Sequence, residues 1–550
     1  MAIRMGLWRC HRPRRHRCLL LVLLFGACQR GESPAPGGAG APVRGGTVVV
    51  ALAQEPESLL PYTTHSSVAA DVQSFLYCML ATTNADFGTF SPSIARSWEW
   101  STDHHELLMH LRDDVVWSDG VPLTAADVAF THEVARDSVV GWPTRAWKRH
   151  VTACEVVDPH TVRFRFDAVF YDQFRFAKEG WLLPQHLLGQ VPRAELGRHP
   201  FARQPVGCGP FVLESWEPGQ RIILARNERY FGAPRPWLDR VVFEIVPEAS
   251  LRSERLRAGS IDMTGLEPRQ AAELQRAATQ GETGVRVLAV RGRSYDFIGY
   301  NPADPLFQSR AVREALTRAI DRRQIIEALC FGYAEIFEGP FPPMLWAYDP
   351  ALPATPYDPE GARRLLAAAG WKDADGDGWL ERDGRKFEFT LTTNSDNALR
   401  MQAAVPVQAY WKAIGVQARV EGLEMQTALK KRADRQYQAY FGGWNAGLSP
   451  SGTVENLWSC GSRGSKGNFT DYCNHEVDSL NALVATAPAP EVVAPLTHRI
   501  QALIVADHPY TWMYYEHNLV GVGPRLQGFA IDPRGAFVNM EDWYVPAASP

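Results

Sequence analysis

Asp373-Ala374-Asp375-Gly376-Asp377-Gly378-Trp379-Leu380-Glu381 is the stretch of this chain whose spacing most resembles a metal site. Side-chain oxygens at its first, third and fifth positions, with a glycine at the sixth, suit a loop that wraps a calcium ion. Asp373, Asp375 and Asp377 are therefore a candidate calcium loop. The twelfth position, where a bidentate Glu would close the shell, is Gly384, so Glu381 or Asp383 would have to stand in. The same residues also read as a surface turn between a helix and a strand. Fifteen histidines invite a second metal reading, with His104, His105 and His110 close together. No His-Glu-x-x-His, Gly-x-Ser-x-Gly or phosphate-loop pattern accompanies them. An enzyme is the weaker class, and neither a catalytic residue nor a cofactor is expected.

The first residues carry targeting chemistry instead. Arg4, Arg9, Arg12, Arg14, Arg15 and Arg17 precede a short apolar run from Leu19 to Gly26, and no acid appears before Glu32. A basic start, an apolar middle and small residues before a cleavage point make residues 1–27 a secretory signal. The run is far below the roughly 20 residues that cross a bilayer as a helix. Leu24-Phe25-Gly26-Ala27-Cys28 resembles a bacterial lipobox, in which cleavage leaves Cys28 carrying lipid. Residues 28–44, rich in Gly, Pro, Ala and Ser, then form a tether. Ordinary cleavage that releases an unanchored protein is the alternative.

Loss of residues 1–27 takes the formal net charge from −4 to −10. So acidic a body is a poor partner for nucleic acid. Beyond Cys28 lie Cys78, Cys154, Cys208, Cys330, Cys460 and Cys473. An exported chain meets an oxidising compartment, so some of them should pair. Cys460 and Cys473 flank a Gly/Ser-rich loop and are the best candidates. The pairing of the other four stays open.

Helices and strands alternate along the whole chain, so the fold is α/β or α+β. Gly46–Ala53 reads as a buried strand, and Thr161-Val162-Arg163-Phe164-Arg165-Phe166 alternates as a half-buried one. Thr124 and Asp127 open a helix, and the helical period runs through 311–331. Asp358 and Pro359 start another helix that Gly370 ends. The strand at 387–391, the helix at 397–414 and the strand at 416–420 follow.

His110-Leu111-Arg112-Asp113-Asp114-Val115-Val116-Trp117-Ser118-Asp119-Gly120-Val121-Pro122-Leu123-Thr124-Ala125-Ala126-Asp127-Val128 resembles the signature of the family 5 extracellular solute-binding proteins. These are the peptide, dipeptide and nickel binders of ABC importers. Further blocks agree in order: Gly45–Ala51, Pro205–Phe211 with Trp216 and Asn227, Leu256–Asp262, Arg310–Arg322 and Gly442-Gly443-Trp444. The resemblance implies a periplasmic-binding-protein type II-like fold with three lobes and a ligand cleft between two of them. Domain I would combine 45–75, 205–295 and 510–545; domain II would be 76–204 and domain III 296–509.

In peptide-binding members, Gly-Trp-x-x-Asp supplies a carboxylate for the ligand's α-amino group. Here the stretch is Gly443-Trp444-Asn445-Ala446-Gly447, with Gly447 at the Asp position. Trp444 is still a flat apolar wall, Asn445 a donor and acceptor, and Gly443 a source of backbone groups. The loop Gln54-Glu55-Pro56-Glu57-Ser58 would form the opposite wall, and Glu55 or Glu57 is a carboxylate that could replace the missing Asp. Core packing of Trp444 and solvation of the loop are the alternative. The resemblance implies a monomeric, lipid-anchored binder on the periplasmic side of the envelope, handing an oligopeptide or dipeptide-like solute to a membrane permease. A sensor or chaperone, or a secreted hydrolase, on the same fold is the other class.

Overall fold

The computed structural model describes residues 42–63, 66–142 and 145–546, apart from the side chains of 146 and 147. The signal segment, Cys28 and nearly all of the tether lie outside the described residues. Thr47–Leu52, rich in Val, takes parallel partners on both sides, Arg240–Ile245 and Met263–Gly265, as a buried central strand does. It belongs to an eleven-stranded mixed sheet. From one edge, the strands run Gln417–Leu423, Glu388–Asn394, Ala439–Asn445, Arg286–Tyr300, Tyr510–Val522, Met263–Gly265, Thr47–Leu52, Arg240–Ile245, Arg221–Arg226 and Phe211–Glu217. The short strand Ala334–Glu335 pairs with Tyr510–Val522 off this path. A separate antiparallel sheet is built from Ala95–Trp100, Glu106–Leu111, Thr161–Phe166 and Val151–Asp158.

Several local expectations hold. Helix Ala125–Arg136 starts at Thr124, whose N–H donates to Asp127 Oδ2 at 2.8 Å. Asn397 caps helix Ala398–Ala413 and Asp358 caps Pro359–Ala368. The helical run expected over 311–331 is instead two helices, Arg310–Arg318 and Arg322–Leu329. Asp321 causes the break: its carboxylate accepts from the Gln324 N–H at 3.0 Å, capping a new helix rather than continuing the old one.

Apolar residues collect in separate cores. One surrounds Val48, Phe75, Phe243 and Trp543; another, around Met109, Trp117 and Phe164, packs the smaller sheet. Two more lie about the other half of the large sheet, one with Leu391 and Trp411, the other strongly aromatic with Phe297, Trp458 and Trp512. Cys460 and Cys473 are joined, and the second disulfide, left open by the sequence, is Cys78–Cys208. Cys154 and Cys330 are free thiols. The Cys208 bridge sits where the loop 205–210 presses on helix Ser67–Leu76. A Cβ on Gly207 would lie 1.8 Å from the Leu76 carbonyl oxygen, and one on Gly209 would lie 2.6 Å from that of Phe75. Glycine is the residue that permits such an approach. No described helix is long and apolar enough to cross a membrane.

Candidate ligand site at the crossing strands

Arg286–Tyr300 and Tyr510–Val522 run side by side through both halves of the large sheet. Their register jumps at the middle: Arg291 faces His517, yet Tyr295 faces Tyr515. Residues 292–294 thus oppose Glu516 alone, a bulge that re-aims side chains and leaves backbone free. Gly292 allows it, since a Cβ there would meet the Glu516 carbonyl oxygen at 2.6 Å.

Six parallel strands point their carboxyl ends at this bulge. On one side Glu388–Asn394, Gln417–Leu423 and Ala439–Asn445 run together, and Asn445 pairs with Ser294. On the other side Thr47–Leu52, Arg240–Ile245 and Met263–Gly265 do so, and Gly265 pairs with Val520. Carboxyl ends of parallel strands that meet across a change of strand order are where α/β sheets bind ligands.

One face of the crossing is ionic. Arg400, in the first turn of helix Ala398–Ala413, donates from Nη2 to Asp296 Oδ1 at 2.7 Å and from Nε to Oδ2 at 3.1 Å. It also reaches Asn394 Oδ1, while Tyr514 Oη donates to Asp296 Oδ2 at 3.4 Å. The pair is buried, Asp296 at 3% exposure and Arg400 at 8%. Gly443 makes room for it: a Cβ there would lie 2.5 Å from Asp296 Oδ1 and 2.6 Å from Arg400 Nη2. Two residues beyond Tyr514, Glu516 has no partner for its carboxylate among the described residues. Its pKa is pushed up to about 7, first by burial and then by the Asp296 charge, against the pull of Arg400.

The other face is aromatic. Half-buried Trp444 stacks on Phe297 with centroids 6.0 Å apart, donates from Nε1 to Tyr510 Oη at 3.2 Å, and lies under the Arg432 guanidinium. Tyr295 stacks on Tyr515 at 5.0 Å. Arg293 emerges from the bulge on this side.

The structure brings Gly443, Trp444 and Asn445 to the crossing, where the exposed Asn445 accepts from Ser294 Oγ at 2.7 Å. The loop after the first strand is engaged elsewhere. Glu55 accepts from Trp216 Nε1 at 2.6 Å and from the Gly219 N–H at 3.0 Å, bracing a hairpin turn. Ser58 Oγ accepts from the Leu60 N–H at 3.0 Å, and Glu57 from the Ser66 N–H at 3.2 Å. Gln54 is exposed. Sequence reasoning did not single out Arg293, Asp296, Arg400 or Glu516. The available signal was Asp296, an acid set within the otherwise aromatic and apolar run from Tyr295 to Tyr300.

Asp373, Asp375 and Asp377 do converge, with carboxylate oxygens within 4.8 Å of one another. They are exposed, and Asp373 accepts from the Gly376 N–H at 2.8 Å and the Gly378 N–H at 3.0 Å. Lys386 already sets an ammonium on Asp377. Cys460, Cys473 and His475 also cluster, but a disulfide removes the thiolates that a metal would need.

Residues 89–465 match the model of the bacterial extracellular solute-binding proteins, family 5. The chain belongs to that family. This solute-binding protein is 30% identical over 539 residues to the oligopeptide-binding protein AppA of Bacillus subtilis, covering 96% of this chain and 97% of that one. It is 25% identical to the dipeptide-binding protein of Escherichia coli, over 90% and 94% of the two chains. The solved structure of the B. subtilis protein in complex with a nonapeptide superposes with a TM-score of 0.75 at 29% identity, over 92% of this chain and all of that one. The fold is thus the periplasmic-binding-protein type II-like α/β fold, and the family is one of extracellular binders.

Proposed function

We propose that this solute-binding protein captures a peptide-sized solute between two lobes and hands it to an ABC permease in the inner membrane. The observation that carries this reading is the bulged crossing of Arg286–Tyr300 and Tyr510–Val522, onto which six strand ends converge. Peptide names on relatives that match nearly end to end support the solute class. In this reading the lobes are 45–75 with 205–295 and 510–545, then 76–204, then 296–509. The apolar core about Leu391, drawn almost wholly from residues 298–441, supports the third lobe. Gly443, Trp444 and Asn445 line the cleft, and Gln54 stands at the loop opposite. Glu55 and Ser58 act by holding that loop's shape. Cys28 anchors the mature chain through lipid, as a monomer on the periplasmic side, and no calcium is needed for capture.

Native mass spectrometry of the mature protein, gently purified and then mildly denatured, tests this. A co-purifying molecule of peptide mass that is lost on unfolding is the expected result. No bound molecule, together with no thermal shift across peptide libraries, would overturn it.

A further inference from the structure

Among the described residues, Arg293 is a cation without a counter-ion. Its guanidinium offers five N–H donors, yet its one hydrogen bond among the described residues is a long one, 3.5 Å from Nη1 to the Ala446 carbonyl oxygen. No carboxylate forms an ion pair with it among the described residues. Its backbone is firmly placed, because the Arg293 carbonyl accepts from the Ala446 N–H at 2.8 Å. The guanidinium therefore lies against Ala446, just past the end of strand Ala439–Asn445, at the lip of the crossing. Beside it stands a second unsatisfied group. Tyr515 is 3% exposed, and its hydroxyl, which feels the Arg293 charge, has no hydrogen-bond partner among the described residues.

The surroundings add positive rather than negative charge. Arg175, from helix Gln173–Lys178, acts on Arg293 from the neighbouring lobe. That arginine is itself answered by Asp172, 3.3 Å from its Nε, and by the Phe87 carbonyl. Asp172 is turned to Arg175 and Ser449, and Tyr348 and Tyr295 are the other titratable groups that reach Tyr515. With Asp172 engaged by Arg175, Arg293 is left without a carboxylate partner among the described residues. A largely buried, unpaired guanidinium is costly and persists where something else supplies the anion.

We propose that Arg293 and the Tyr515 hydroxyl form a carboxylate receptor that selects solutes presenting an acid at the Gly443–Gly447 segment. The inference rests on the capture reading above and adds the polarity of one end of the solute. The fork of Arg293 takes the two carboxylate oxygens, and Tyr515 donates a further hydrogen bond. Gly447 fits this arrangement: an acid at that position would meet the solute's own carboxylate with like charge.

The test is affinity selection by the mature protein from a synthetic peptide library, read by mass spectrometry. The library holds neutral peptides with free C-termini, the same peptides as C-terminal amides, and amides bearing Asp or Glu. Wild type is expected to enrich acids over neutral amides by about tenfold to a hundredfold, the range of a charge-assisted hydrogen bond. Free C-termini or acidic side chains will dominate according to which of them supplies the carboxylate. R293Q should erase the preference, R293K should keep part of it, and Y515F should weaken it. Freed of an unpaired buried charge, ligand-free R293Q should also melt no lower than wild type. Equal retention of acids and neutral amides by wild type would overturn the inference and leave capture standing, as would a marked loss of stability in R293Q with Y515F unchanged in selectivity. Retention of no peptide at all would sink the peptide reading and this one with it.

Discussion

Asp296 and Arg400 lie 104 residues apart in sequence and satisfy each other out of water. Replacing Asp296 with Asn would leave the Arg400 guanidinium buried without its charge partner. A cost of about 3–5 kcal/mol follows, read by urea unfolding, and a loss below about 1 kcal/mol would mean that water reaches the pair. Glu516 behaves in the opposite sense. Its carboxyl titrates at about 7 in the folded chain against an ordinary 4.5. Between those values the folded state keeps a proton that the unfolded chain has released. Stability contributed by this group therefore falls as pH rises through that window, and the deficit is complete above pH 7. Asp296, Arg400, Tyr514 and Cys330 are the titratable groups around it. E516Q should gain about 1–2 kcal/mol over wild type at pH 8, after allowance for solvent screening, and nothing at pH 4.5. Melting curves at the two pH values check this; an equal gain at both would place the effect in packing. Gly443, Trp444 and Asn445 were legible because they sit in one local block. Asp296, Arg400 and Glu516 were not, because a buried charge announces a need for a partner without saying where the partner is.

At the scale of elements, capping chemistry was the most readable part. Thr124, Asp358 and Asn397 each begin the helix expected of them, since an N-cap acts within three residues of its own position. Asp321 obeys the same rule, and the uninterrupted helical period around it masked the break. The glycines of Pro205-Val206-Gly207-Cys208-Gly209-Pro210 have a reason that no local pattern carries: the carbonyls at the end of helix Ser67–Leu76 lie against them. The Cys78–Cys208 bridge fastens that contact across a separation of 130 residues, whereas Cys460–Cys473 spans 13. Loop-closure entropy makes the longer link the more stabilising, and its loss should cost about 2–5 kcal/mol. C78S/C208S should therefore lower the melting temperature more than C460S/C473S does. The reverse order would mean that packing of the 205–210 loop holds without the bond.

For the whole molecule, the alternation of helices and strands was enough for the α/β class. The pairing of strands was beyond it: nothing in Tyr510–Val522 reveals that it lies beside Arg286–Tyr300, because register is decided by faces that come together only in the folded sheet. That pairing has a mechanical consequence. Two strands carry the connection between the halves of the large sheet, and the bulge at 292–294 concentrates their irregular backbone at one level. A few residues that absorb a change in backbone angles are what a hinge requires. Closure should then appear as a two-population change between exposed positions such as Leu251 and Val405, 50% and 62% exposed, fitted with genetically encoded spin labels. Without solute the distance distribution should be broad, and with the solute identified by native mass spectrometry it should shorten and narrow, as a population shift demands. G292A provides the counter-test. Its new Cβ presses on the Glu516 carbonyl at the bulge, so it should alter the ligand-free distribution and weaken binding without touching Gly443, Trp444 or Asn445. An unchanged distribution in wild type with and without solute would mean that the crossing strands are a rigid spine and that access to the site is opened by its loops.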